Sequence, residues 1–292
     1  MKILRRIAVI GLLWATAASA QPPDAPIEVQ TAGHGEPSLV FIPGLACPGS
    51  VWEHVVARFE VGYRCHVVTL AGFGGQPPVK TEHFLDDMAD AVIAYVRAQK
   101  LEKPVLIGHS LGGELAMKIA LKAPDLPGRL VIVDSLPFLG TIMGPGIDDA
   151  EAAKPAADAY RKTLASMTPG QFAAGQQQYL ATMVTSPEKA AEIAAVTGKS
   201  DPATTGQAMG ELLQTDLRPD LGQIRCPTLV LAALADKVAL GVPREAVEGV
   251  YRRQYARLPG VRIVFFEKAR HFVMVDDLDG FTDALRKELT GP

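Results

Sequence analysis

Cysteine is scarce in this chain, with three residues in 292, and aromatic side chains make up only 6% of it. Basic residues do not cluster, and the formal net charge is a modest −3. A nucleic-acid binder or a disordered chain would need a stronger charge bias or a poorer apolar content than the 48% found here. No apolar span of the roughly 20 residues that cross a bilayer recurs after the N-terminus, so the mature protein reads as soluble. The six histidines lack ligand-like spacing with cysteines or carboxylates, and no phosphate-cradling glycine loop is present. Neither a metal nor any other cofactor is therefore expected. No internal repeat is visible and no feature specifies an oligomeric state.

What is present begins with a leader. MKILRRIAVIGLLWATAASA carries Lys2, Arg5 and Arg6, then an apolar stretch from Ile7 to Ala17, then the small-residue pattern Ala18-Ser19-Ala20. This is the pattern of a signal peptide, residues 1–20, cleaved after Ala20. It predicts a bacterial periplasmic or secreted protein that keeps no stable membrane anchor.

Export makes the three cysteines candidates for a disulfide. Cys65 and Cys226 each begin a predicted strand, whereas Cys47 follows the end of one. Opposite edges of a sheet lie roughly 17–20 Å apart, well beyond the roughly 7 Å that a disulfide allows between Cα atoms. Free thiols are the expectation, unless Cys65 and Cys226 lie on neighbouring strands.

Short apolar runs alternate with helical patterns along the rest of the chain. IEVQTA, SLVFIPG, CHVVTLAG, PVLIGHS, RLVIVDS, PTLVLAAL and VRIVFFE read as strands, most without polar alternation, as strands covered on both faces do. The alternation predicts an α/β fold with a mostly parallel central sheet flanked by helices. Residues 21–136 and 222–292 would form this core. Between them, residues 137–221 hold no strand candidate but three helix starts: Thr168-Pro169, Ser186-Pro187 and Asp201-Pro202. They predict an inserted all-helical lid. Its Met143, Met167, Met183 and Met209 would pack, or line an adaptable apolar face.

The chemistry centres on Gly108-His109-Ser110-Leu111-Gly112, which fits G-x-S-x-G between a buried strand and a helix. Such a turn presents the Ser110 hydroxyl above the sheet, next to the positive end of a helix dipole. A serine hydroxyl needs a base to become a nucleophile, and histidine has the suitable pKa. His34 is in the N-terminal segment, His54 and His83 fall in helical patterns, His66 lies within a strand, and His109 belongs to the turn itself. His271 lies in a loop just after a strand, on the edge where Ser110 also lies. Asp134 and Asp236 both end strands on that edge, where the sites of open α/β sheets gather.

Together with PGLACPGSVW (43–52), LAGFGGQ (70–76), ALADKVAL around Asp236 and KARHFVMVDD around His271, the motif resembles the α/β-hydrolase fold superfamily of serine esterases and lipases with a helical lid. The resemblance spans nearly all of residues 27–290. It implies a catalytic triad of Ser110, Asp236 and His271, with Asp134 as the alternative acid, and an oxyanion hole from the backbone N–H groups of Leu45 and Leu111. Pro43 replaces the histidine usual before Gly44 in this superfamily; because the hole uses backbone donors, the change bears on loop support. Glu114, in the first turn of the helix after Ser110, is explained by the helix dipole.

The function expected is that of a serine hydrolase that cleaves a small-molecule carboxylic ester through an acyl-enzyme, with a small acyl compound as its partner and no nucleic acid. The same triad serves amides, aminopeptides, lactones and carbon–carbon bonds. A serine, where halide-cleaving relatives carry aspartate, argues against dehalogenation. A non-catalytic ligand-binding protein of the same fold is the remaining reading, and the three intact polar residues weigh against it.

Overall fold

The computed structural model describes residues 26–239 and 241–291. The predicted leader, residues 1–20, lies outside them. Among the described residues seven strands form one sheet: β1 Ile27–Ala32, β2 Leu39–Ile42, β3 Cys65–Leu70, β4 Val105–His109, β5 Arg129–Val133, β6 Thr228–Ala233 and β7 Arg262–Phe266. Their spatial order is β1-β3-β2-β4-β5-β6-β7. β1 pairs with β3 antiparallel, and every other pairing is parallel.

The helices are α1 Glu53–Phe59, α2 Phe84–Ala98, α3 Leu111–Lys122, α4 Ala150–Ala165, α5 Pro169–Met183, α6 Pro187–Thr197, α7 Pro202–Gln214, α8 Ala235–Ala239, α9 Arg244–Gln254, α10 Val273–Asp276 and α11 Leu278–Thr290. β2, β3, β4 and β6 are buried at every residue, which is why their sequences run apolar without alternation. Neighbouring residues nevertheless face different layers. Val40 and Ile42 of β2 join a core with α2, α3 and α9, whereas Leu39 and Phe41 join a second core with α1 and α11. β7, at the sheet's edge, alternates between exposed and partly buried residues over its first four positions.

Helices α4 to α7 occupy the stretch between β5 and β6. The Thr168, Ser186 and Asp201 side chains each accept a bond from the backbone N–H three residues on, with proline at the first helical position, and Thr168 with Gln171 completes a capping box. The sequence signals missed α4, whose cap is Asp149 and whose interior holds Pro155, a residue that reads as a helix breaker. Cys47, Cys65 and Cys226 are all free thiols. Cys65 opens β3 and Cys226 precedes β6, and three strands lie between these two in the sheet.

Candidate active site

The turn from β4 to α3 is strained at Ser110, whose backbone takes φ 53° and ψ −119°. A non-glycine residue rarely adopts a positive φ, and the surrounding packing enforces it here. A Cβ on Gly108 would stand 2.1 Å from the Gly112 carbonyl oxygen, and one on Gly112 would stand 2.2 Å from the Ile42 carbonyl oxygen. Both positions must be glycine for strand, turn and helix to approach so closely. The Ser110 N–H donates to the Val133 carbonyl at 2.9 Å, which fixes the turn to the neighbouring strand end.

The loop after β2 crosses this turn. A Cβ on Gly44 would meet Ser110 Cβ at 3.2 Å and His109 Nδ1 at 2.9 Å, so the next residue, Leu45, lines the same cavity as Ser110. Leu111 opens α3, where the first backbone N–H groups have no partner within the helix. Among the described residues neither the Leu45 nor the Leu111 N–H donates to another group. Pro43 leaves the loop without the side chain usual there, but Ser200, just before α7, supports it. The Ser200 hydroxyl donates to the Ala46 carbonyl at 2.7 Å and accepts from the Gly74 N–H at 2.7 Å. Serine next to a cap aspartate was the available sequence signal, but nothing local tied it to a loop 154 residues away.

His271 follows β7, and its Nδ1–H donates to Asp134 Oδ2 at 2.6 Å. This bond does not fall on the acid that the resemblance implies. Asp236, which the resemblance favours as the acid, has no hydrogen bond or ion pair to His271; it lies in the short helix α8, 3.2 Å from the Lys237 ammonium. The reason is backbone geometry at the end of β5. Asp134 adopts φ 43°, with its N–H bonded to the Leu231 carbonyl at 2.8 Å. Its side chain is held from both sides: Oδ1 accepts from the Ala233 N–H at 2.8 Å and the Tyr251 hydroxyl at 2.5 Å. Lys237 Nζ reaches Oδ2, the oxygen that His271 uses, at 3.1 Å. Burial opposes charge on Asp134, but the Lys237 ammonium and the His271 bond outweigh it and hold the carboxyl well below the usual carboxylate range. Tyr251 and Lys237 are site residues that sequence reasoning missed. A buried tyrosine must find a partner for its hydroxyl, yet only the fold identifies Asp134 as that partner.

A column of rings supports the imidazole. His109 is fully buried, with its ring centroid 4.6 Å from that of His271, and its Nε2–H donates to the His271 carbonyl at 3.0 Å. Burial, with the neighbouring imidazole, pushes His109 down to about 3, so the ring is a neutral spacer. Trp52 meets His109 edge-on at 6.4 Å. The other histidines are elsewhere: His66 bonds the Tyr95 hydroxyl at 2.8 Å in the core, and His34, His54 and His83 are exposed.

Ser110, Asp134 and His271 line one cavity of about 180 Å³. Among the described residues no direct hydrogen bond joins Ser110 to His271. With Nδ1 engaged by Asp134, Nε2 is the nitrogen left to act as base, and catalytic bonds of this kind often tighten only when substrate is present. Leu136, Leu139, Met183, Met209 and Leu212 form much of the apolar wall, so two of the four methionines of the helical segment face this space. Glu114 departs from expectation. It is 1% exposed, neither carboxylate oxygen has a hydrogen-bond partner, and burial raises its pKa well above the usual value.

A profile described as "Alpha/beta hydrolase family" matches residues 39–284. The chain is 30% identical over 266 residues to a pimeloyl-[acyl-carrier protein] methyl ester esterase of Pectobacterium carotovorum, covering 87% of this chain and 94% of that protein. A counterpart from Nitrosomonas europaea is 29% identical over 260 residues, covering 85% and 93%. An esterase from Exiguobacterium antarcticum superposes with TM-score 0.75 at 21% identity, covering 91% of this chain and 96% of that one.

Proposed function

The chain belongs to the α/β hydrolase family, and from that premise we propose that it is a serine esterase whose triad is Ser110, His271 and Asp134. The observation that carries the proposal is the 2.6 Å bond that orients His271 beside the cavity into which Ser110 also faces. In this reading Ser110 Oγ attacks the ester carbonyl carbon as His271 Nε2 takes the hydroxyl proton. The new oxyanion accepts hydrogen bonds from the Leu45 and Leu111 N–H groups, both free of other acceptors among the described residues. Asp134 keeps Nδ1 protonated and stabilises the imidazolium. The tetrahedral intermediate collapses, His271 returns the proton to the leaving alcohol, and an acyl-enzyme remains. Water, deprotonated by His271, then releases the acid.

The cavity bears on the substrate. A volume of about 180 Å³ accommodates about six non-hydrogen atoms at roughly 30 Å³ each, the share of a water molecule. Its apolar wall suits an uncharged acyl chain of about four to six carbons by that measure. Helices α4 to α7 act as a lid in this reading, since α5 and α7 supply Met183, Met209 and Leu212 to the wall. The leader pattern at residues 1–20 supports an exported location in this reading.

A panel of p-nitrophenyl esters of rising acyl length tests the reading. Activity should peak near four to six carbons, and Ser110→Ala should lower kcat/KM by more than about 1,000-fold. A folded wild-type protein no faster than Ser110→Ala on every ester would contradict it.

A further inference from the structure

We infer that Lys237 is a positioning residue for the triad: its ammonium shares Asp134 Oδ2 with His271 and offsets the carboxylate charge that would otherwise favour the imidazolium. The inference rests on the esterase reading above.

Asp134 Oδ2 accepts from His271 Nδ1 at 2.6 Å and lies 3.1 Å from Lys237 Nζ, which is also 3.4 Å from Oδ1. Two cations thus compete for one carboxylate whenever His271 is protonated. An acid that orients its histidine ordinarily favours the imidazolium as well, because nothing else balances its charge. Here the ammonium offsets that charge before the proton arrives. The sign follows directly: an ammonium on the oxygen that His271 uses repels a second positive charge there, so Lys237 works against the imidazolium.

Lys237 is itself anchored. Its second partner is Asp236, at 3.2 Å, in the same short helix. Burial disfavours the ammonium, but Asp134 and Asp236 outweigh it and raise the lysine above its ordinary value, so it stays charged through the working range. The other groups facing the pair are Tyr251 from α9, Tyr255 just past that helix, Tyr179 from α5 and His109 from β4. Burial raises Tyr251 and Tyr255 well above the usual value and holds His109 neutral. Arg270 points to the Ala181 and Val184 carbonyls, and Asp276 accepts from the Arg270 and Thr185 N–H groups. Lys237 and Asp236 are therefore the charges that bear most directly on the pair.

The test compares kcat/KM for p-nitrophenyl butyrate from pH 4.5 to 9 in wild type, Lys237→Met, Lys237→Arg and Asp236→Asn. At the ~6 Å set by a shared oxygen, and with an effective dielectric near 20, removing the ammonium should move the acid limb up by about one to two pH units. Lys237→Arg should restore the limb to within about 0.3 of wild type on the same grounds. Asp236→Asn, which removes an anion instead, should move it down. An acid limb that stays in place in Lys237→Met, even with activity lowered at every pH, would overturn the inference. If Lys237→Met does not fold, Asp236→Asn decides: a limb moved down supports the inference, and an unmoved one overturns it. Wild type is first labelled with a fluorophosphonate. A wild-type protein that neither labels nor turns over defeats the esterase reading itself, whereas one that does both, with variants of unshifted profile, defeats only the role of Lys237.

Discussion

Asp134→Asn and Asp236→Asn should have opposite fates. Asp134 touches His271 through a 2.6 Å charge-assisted bond, and its side chain is 2% exposed, so little solvent can take over its role. An asparagine there offers either an amide donor, which turns the imidazole to the wrong tautomer, or a neutral acceptor, which leaves the imidazolium uncompensated. Losses of about 10⁴-fold in kcat accompany this change in Ser-His-Asp sites, equivalent to about 5 kcal/mol of transition-state stabilisation. Asp236 meets Lys237 at 3.2 Å and makes no hydrogen bond or ion pair with the imidazole. Its replacement should cost less than about tenfold, or ~1.4 kcal/mol, at the plateau of the pH profile. The fold should survive both changes, because the amide oxygen introduced by Asp134→Asn still accepts from the Ala233 N–H and the Tyr251 hydroxyl. The assay is kcat on p-nitrophenyl butyrate at pH 8, with near-UV circular dichroism to verify folding. A larger loss in Asp236→Asn than in Asp134→Asn would refute the assignment and move the acid to α8.

Gly108→Ala forces a methyl group to within 2.1 Å of the Gly112 carbonyl; thermal or urea unfolding should register a loss of about 3 kcal/mol or more, and a variant as stable as wild type would contradict the close-approach argument. Glu114→Gln tests the buried carboxyl through pH. Burial raises the Glu114 pKa above its ordinary 4.5, so its contribution is fully present below that pH and is lost as pH rises towards the folded-state value. Glutamine has no proton to lose, so the urea midpoint of the variant should gain on that of wild type between pH 5 and 8; parallel profiles would show that Glu114 titrates normally.

The sheet was legible because burial on both faces imposes a simple composition: β2 to β6 read as apolar runs and lie where those runs predict. The Ser110 turn was legible for the same kind of reason, since the glycines at 108 and 112 meet each other and only glycine permits that approach. The acid was not legible. Asp134 and Asp236 each follow an apolar strand, and local pattern gives both the same description. What separates them is a left-handed φ at Asp134 and the continuation of Asp236 into a helix, neither of which has a periodicity. Partners distant in sequence were hidden as well: Tyr251 is 117 positions from Asp134 and Ser200 is 154 from Ala46. Glu114 misled because the helix dipole already accounts for a carboxylate in the first turn of α3 and says nothing of burial. The neighbouring Glu211 of α7 and Thr215 at that helix's end belong to the helical stretch between β5 and β6, whose docking the sequence of α3 does not encode.

The central claim, that Ser110 is a nucleophile activated by His271, is tested most directly by labelling the folded protein with a fluorophosphonate and mapping the modified peptide by mass spectrometry. The label should fall on the peptide containing Ser110, vanish in Ser110→Ala and slow by orders of magnitude in His271→Ala. A folded wild-type protein that stays unlabelled, or one labelled elsewhere with Ser110 unmodified, would contradict it.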